Sequence, residues 1–401
     1  MTTADVTSVR LPWDAANPYE FYEARRDEGD VVWDDTAQAW LALSYDAVRE
    51  VLAGTGWTSD PLANPLARAA IDLVSQDFVK KSMLFADGAD HQRLRASVRD
   101  VFTRSFVTNL SAGVEALAAA LVDEQPIGTP FDFMAEIALP LPVAVIGEWL
   151  NLEPGSAQLL RELSPVIIRM LGTLADRQEV AAGAAASVAL MAEFLPLAAD
   201  RRAHPQDDLL SFIAADSELL LEEVVMTAIL IAVAGHETTA NMLGAGLVTM
   251  LTPANDGSRI VDRIDPADSG LVTELLRLNG PVQSTARTAT ADHVIAGVEI
   301  QSGQSVLAVI AAANRDPMVF DEPGRFRLDR DAPAPLSFGY GAHYCLGAAL
   351  AQLELSTAIP KILARKPVLA GPVQWRDTPA VRGPLNVPIV FTAPEPGQEG
   401  R

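Results

Sequence analysis

The chain contains one cysteine, Cys345, in the run FGYGAHYCLG (residues 338 to 347), where it sits among three glycines and His343. A lone cysteine makes no internal disulfide. Its chemistry is that of a nucleophile, a metal ligand or a small buried apolar side chain. Structural zinc draws on about four Cys and His ligands, and five histidines with one thiol do not supply them. Gly339 and Gly341 permit positive φ and a close backbone approach to a flat ligand. Cys345 lies just before LGAALAQLELSTAI, which reads as a helix. A thiolate at a helix N-terminus is stabilised by free N–H groups and the positive end of the dipole. That setting suits a ligand that must stay anionic, and Phe338 is placed to shield the sulfur from water.

A second constellation is AGHETT, Ala234 to Thr239. It interrupts a run that is apolar almost all round from Val224 to Leu251, a pattern that predicts a long helix crossing the interior. Burying Glu237 there is costly unless it is hydrogen-bonded or has chemical work. The plainer reading is a capped polar notch in a kinked helix. A third is ELLR, Glu274 to Arg277, an i, i+3 ion pair worth about 0.2–0.5 kcal/mol when solvated.

The elements that must carry these groups are mostly helical. PYEFYEARRDEG, SYDAVREVLAG opened by Ser44, DHQRLRASVRDVFT, NLSAGVEALAAALVDE, SAQLLRELSPVIIRML, the alanine-rich stretch 180–202, DDLLSFIAAD and SGLVTELLRL have helical patterns, several with Ser, Asp or Asn at the N-cap position. VVWD, AWLAL, HVIAGVEI, SVLAVIA and NVPIVFTA read as strands. This predicts a mainly α fold with small β-sheets (α+β) and no alternating βαβ sheet for a nucleotide. No linker, repeat or charge block divides the 401 residues, so one domain is expected over 1–401, with loose tails at 1–9 and 395–401. Apolar residues make up 49% and charged ones 20%, and the net charge is −22, which argues against general attraction to nucleic acid or anionic membrane. MTTADVTSVRLPWD lacks an apolar signal core, and no uninterrupted apolar run reaches the roughly 18 residues of a spanning helix. A soluble, cytoplasmic protein is expected.

The run Phe338, Gly339, Gly341, His343, Cys345, Gly347 resembles the haem-binding loop of the cytochrome P450 superfamily of haem-thiolate monooxygenases, soluble bacterial type. The likeness extends from Asp90 to Phe391. It implies haem b with Cys345 as axial thiolate ligand of the iron, held between the long central helix and the helix that follows the cysteine. AGHETT is similar to the family's oxygen-activation segment. Gly235 would leave room for dioxygen against a locally widened helix, Thr238 would hydrogen-bond it, and Glu237, where many members carry Asp, would relay protons. In the family the ELLR pair locks to an arginine in a later loop. EPGRF places Arg325 there, which gives Glu274, Arg277 and Arg325 a structural role. His91, Arg95, Arg287 and His343 stand where the family binds the haem propionates. Leu230, Val233, Ala234, Gln283, Ser284 and Thr285 would line the substrate pocket, covered by segments near 57–84 and 164–185.

The implied activity is insertion of one oxygen atom from dioxygen into a small apolar organic substrate, by hydroxylation or epoxidation. With no flavin, nicotinamide or iron–sulfur fingerprint in the chain, electrons must come from a separate ferredoxin or flavodoxin and its NAD(P)H-dependent reductase. Such carriers are usually acidic, so Arg93, Arg99 and Arg104 are docking candidates, and Gln352 stands where many relatives have arginine. A monomer is expected. The rivals are a peroxygenase driven by hydrogen peroxide, which does not need the Glu237 and Thr238 pair, and a non-catalytic haem sensor or carrier.

Overall fold

A computed structural model describes residues 14–70, 76, 79–170, 177–377 and 381–392. Both expected tails lie outside the described residues, as do parts of the two covering segments, at 71–75, 77–78 and 171–176.

The apolar run around AGHETT forms one uninterrupted α-helix, Leu221–Leu251, 31 residues long, or about 46 Å at 1.5 Å per residue. Its N-terminus is closed by the Glu223 carboxylate, which accepts from the Leu220 N–H. Helices Pro140–Trp149, Pro154–Met170, Arg177–Ala203 and Ala348–Ala364 pack against it. Their side chains, among them Leu141, Leu160, Phe194 and Leu355, make most of the main core, which Phe133 completes from the preceding segment. Three helical stretches, Arg104–Asp123, Gln178–Ala203 and Leu221–Leu251, are long and apolar enough to cross a membrane by length and composition. In the third, the apolar window is 78% buried in protein, so its apolarity serves the core.

The smaller layer is a five-stranded sheet of β1 (Val31–Asp34), β2 (Ala39–Ala42), β3 (Trp57–Thr58), β5 (Thr285–Ala289) and β8 (Ser305–Ala308), in the order β1-β2-β8-β5-β3. Only β2 and β8 run parallel. The strand Phe131–Asp132, β4, lies in a different sheet. HVIAGVEI folds back on itself as β6 (His293–Ile295) and β7 (Val298–Ile300), through Ala296 and Gly297 at φ of +49° and +80°, a turn conformation in which glycine carries no steric cost. SVLAVIA behaves differently. Its strand ends at Ala308 and the chain turns into the short helix Ile310–Ala313, where the Ala311 N–H donates to the Gln283 carbonyl and anchors the segment after ELLR.

The caps show how the sheet side meets the cysteine side. Ser44 caps helix Tyr45–Ala53 by accepting from the Ala47 N–H. Asp87 occupies the same position before helix Gly88–Arg99 but makes no side-chain cap. Its carboxylate bonds instead to Thr58, the Ser59 N–H and His343.

Candidate haem and oxygen-activation site

Cys345 sits at the end of a loop drawn tight by its own backbone. The Cys345 N–H donates to the Phe338 carbonyl at 2.8 Å, and the Gly339 N–H to Leu336 at 2.7 Å. Gly339 and Gly341 both adopt φ of +74°, as their residue type anticipates. After the cysteine, Gly347 leads into helix Ala348–Ala364, and no atom lies within 4 Å of where a Cβ on Gly347 would be. Burial pushes the Cys345 thiol up, against the Gly347 N–H and the Arg95 charge, which favour the thiolate. A metal cation bonded to the sulfur reverses that balance, because a coordinating thiol is deprotonated outright.

The central helix has one unusual face. Leu230, Ala234, Gly235 and Thr238 keep partial exposure, while positions 228–229, 231–233, 236–237 and 239–247 are buried. Positions 230, 234 and 238 repeat every four residues, so they share one side. A Cβ on Gly235 would meet nothing within 4 Å. This wall is open at Gly235 and partly exposed along its length, as a seat for a flat cofactor and a small substrate requires. The helix stays α-helical through Gly235, so the expected local widening is absent. The Thr238 hydroxyl donates to the Ala234 carbonyl at 2.7 Å, a bond within its own helix that leaves the oxygen able to accept.

The expected cations gather, with different partners. His91 and His343 lie ring against ring, with centroids 4.1 Å apart and planes tilted by 32°. Burial, then His343 and Arg95, push the His91 imidazolium down to about 4, so His91 is neutral near pH 7. His343 Nε2 meets Asp87 at 3.0 Å and Ser59 at 3.1 Å. Burial raises the Asp87 carboxyl, but the bonds from His343, Thr58 and Ser59 outweigh it and hold the group at about 2. Arg95 donates to the Tyr344 carbonyl. Arg287 is 7% exposed and donates to Thr285 and to the Ala286 carbonyl. Burial pulls both guanidinium groups down, a cost that an anionic group bound among them offsets. The residues present therefore fit a haem with its carboxylates on this side.

Four expectations need correction. The arginine that closes the Glu274 lock is Arg330, whose Nε lies 2.9 Å from Glu274 Oε1. The Arg325 guanidinium is 71% exposed on Glu322, and only its carbonyl takes part, accepting from Arg277 and Arg330. The loop from Pro323 to Arg330 turns so that the later arginine points inward. Val233, 1% exposed, and Gln283, 0% exposed, lie in packed core. Val233 falls on the neighbouring helix face, and Gln283 donates to the Gly280 carbonyl at 2.7 Å. Ser284 and Thr285 are half-buried. Arg93 pairs with Glu223 at 2.6 Å, tying two helices together.

Two residues escaped the sequence reading. Arg376 Nη1 donates to Glu237 Oε2 at 2.8 Å, and nothing near position 237 in the chain signals a partner 139 residues away. Glu354, on the cysteine helix, is 3% exposed. Burial pushes its carboxyl up to about 8, against a hydrogen bond with Thr239. LELS, apolar around a single acid, was the available signal.

This combination of a long buried helix with one open face, above a glycine loop presenting a thiol, defines a haem-thiolate class of protein. A model of the Cytochrome P450 family matches residues 269–370. The biotin biosynthesis cytochrome P450 of Bacillus subtilis is 30% identical over 94% of this chain and 96% of its own. The vitamin D(3) 25-hydroxylase of Pseudonocardia autotrophica is 33% identical over 94% of each. Among solved structures, P450BioI in complex with an acyl carrier protein ligated to hexadec-9Z-enoic acid superposes with a TM-score of 0.87 at 29% identity, over 94% of this chain and 99% of that one. The chain belongs to the cytochrome P450 family. It is a haem monooxygenase whose cofactor is haem b bound through a cysteine thiolate.

Proposed function

We propose that Cys345 is the axial ligand, that His91, Arg95, Arg287 and His343 hold the haem carboxylates, and that a small apolar organic substrate rests against Leu230 and Ala234. The observation that carries this reading is the lone thiol in its glycine loop, directly ahead of a helix packed against the one with the open face at Gly235. Bound there, haem b supplies oxygen activation and the oxidation of a substrate C–H or C=C bond. The protein holds and shields. Phe338 covers the sulfur, and the apolar wall keeps water from the substrate. At the open face the Thr238 oxygen accepts a hydrogen bond while its own O–H is held by the Ala234 carbonyl, and the neighbouring acid Glu237 supplies protons to the site. Glu274, Arg277 and Arg330 fix the loop that precedes the cysteine segment.

Electrons come from a ferredoxin or flavodoxin with its NAD(P)H-dependent reductase. A cleft of about 520 Å³, lined by Arg104, Thr108, Gln352 and Ser356 beside the cysteine helix, together with the 69% exposed Arg99, is the face proposed for that carrier. The protein is proposed to act as a monomer in the cytoplasm, as one domain.

The test is spectroscopic. Reduced protein with carbon monoxide is expected to give the strongly red-shifted Soret band of a carbonyl opposite thiolate, and Cys345→Ser to lose it. A colourless protein from haem-replete cells, or iron held by imidazole alone, overturns the reading.

A further inference from the structure

The Glu237 carboxylate is fully buried, yet only half satisfied. Oε2 accepts from Arg376, while Oε1 has no protein partner. Next to it, His236 is 1% exposed, and neither ring nitrogen makes a well-formed hydrogen bond. Its Nδ1 lies 3.9 Å from Oε1. One turn on, Asn241 donates to the Glu237 backbone carbonyl at 2.8 Å and leaves its own Oδ1 unpartnered. Arg376 Nε is unpartnered too. The set is chemically complementary: two acceptor oxygens, a guanidinium N–H, and an imidazole with one donor and one acceptor. Burial holds His236 neutral, helped by Arg376 and Arg161 and opposed by Glu237 and by the Leu139 backbone, which draws on one ring N–H, so the other ring nitrogen remains an acceptor. Leaving each such atom dry costs about 1–3 kcal/mol, whereas a buried water making about three bonds satisfies several at once.

We infer that His236, Glu237, Asn241 and Arg376 enclose buried water and form the inner end of a proton entrance that opens at the hairpin of the paired strands Gln374–Trp375 and Pro384–Asn386. This rests on Glu237 being the relay acid. Arg376 is the positioning residue. Its side chain is 12% exposed, so it reaches solvent on one side and the carboxylate on the other. The Arg376 N–H donates to the Gly383 carbonyl, which holds the hairpin together. A Cβ on Gly383 would fall 2.0 Å from Asn241 Oδ1, so the missing side chain lets the hairpin seat on the central helix. A proton passing from the enclosed water to Glu237 Oε1 is replaced from solvent beside Arg376, and the carboxylate returns to its ionised form when it hands that proton toward Thr238.

A crystal structure that resolves ordered water is expected to show one within hydrogen-bonding distance of Glu237 Oε1 and of Asn241 Oδ1 or His236. Arg376→Met and Asn241→Leu are each expected to keep the carbonyl Soret band. Product formed per NAD(P)H should fall about tenfold, with hydrogen peroxide in its place, and the rate should become more sensitive to D2O. Arg376→Lys should recover most of the coupling. If Arg376→Met fails to fold, the wild-type water and Asn241→Leu still decide. A dry cluster, or wild-type coupling in both variants, overturns this inference alone. A wild-type protein without the carbonyl band overturns it together with the oxygenase reading.

Discussion

Glu274 and Glu237 are both buried against arginine, and they are treated in opposite ways. Glu274 receives four donors: Nε and Nη2 of Arg277, Nε of Arg330 and the Arg327 N–H, all within 2.9 Å. Arg277 spends its remaining donors on the Asn314, Pro323 and Arg325 carbonyls. Burial alone would raise the Glu274 carboxyl, yet these bonds hold it below its usual range. Glu237 has one donor and one empty oxygen. A saturated acid is a brace, because every motion costs a bond. An under-satisfied acid can exchange protons, because one oxygen is free to take one. Sequence alone makes the two look alike. Their partners make them different.

The comparison breaks most readily at the brace. Glu274→Ala strands two buried guanidinium groups and is expected to cost about 3–5 kcal/mol of stability in chemical denaturation, or to abolish folding. A loss below about 1 kcal/mol would show the lock to be ornamental. At the relay, Glu237→Gln is expected to lower product formation on the order of 10²-fold while the denaturation midpoint shifts little, since the Arg376 side chain can turn to water. Unchanged turnover would make Glu237 a second brace.

Glu354 sharpens the contrast through pH. Its folded carboxyl lies near 8, above the ordinary 4.5, so the folded state binds the extra proton. The stability it contributes is full below about pH 4.5 and is lost as pH rises through 8, with a slope of up to about 1.4 kcal/mol per pH unit. Glu354→Gln should flatten stability against pH in that window, and an unaltered profile would place the proton elsewhere. The smallest effect belongs to Arg325→Ala, expected within about 0.5 kcal/mol of wild type because its ion pair is solvated. Arg330→Ala should cost several times more. Equal costs would restore the assignment made from EPGRF.

What was legible in the sequence was local. The Ser44 cap, the long central helix and the positive φ of Gly339 and Gly341 each follow from a few adjacent residues, whereas HVIAGVEI reads as one strand and folds as two. The haem loop and AGHETT were legible because their side-chain types are dense and close in the chain. Arg376, Arg330 and the pairing of His343 with Asp87 were hidden because they depend on contacts between residues 56 to 256 positions apart. No periodicity records which of several arginines a loop will turn inward. The burial of Val233 was a matter of helix phase: a step of one residue, about 100°, separates the open wall from packed core.

Gly341 carries one last implication. A Cβ there would lie 2.5 Å from the Leu52 carbonyl oxygen, so the ligand loop is pressed against the backbone of a segment made almost three hundred residues earlier. Closing so long a stretch of chain is entropically costly, and the thiol's loop takes its shape only against that amino-terminal backbone. A substitution that loosens helix Tyr45–Ala53 would therefore disturb the iron ligand from a distance.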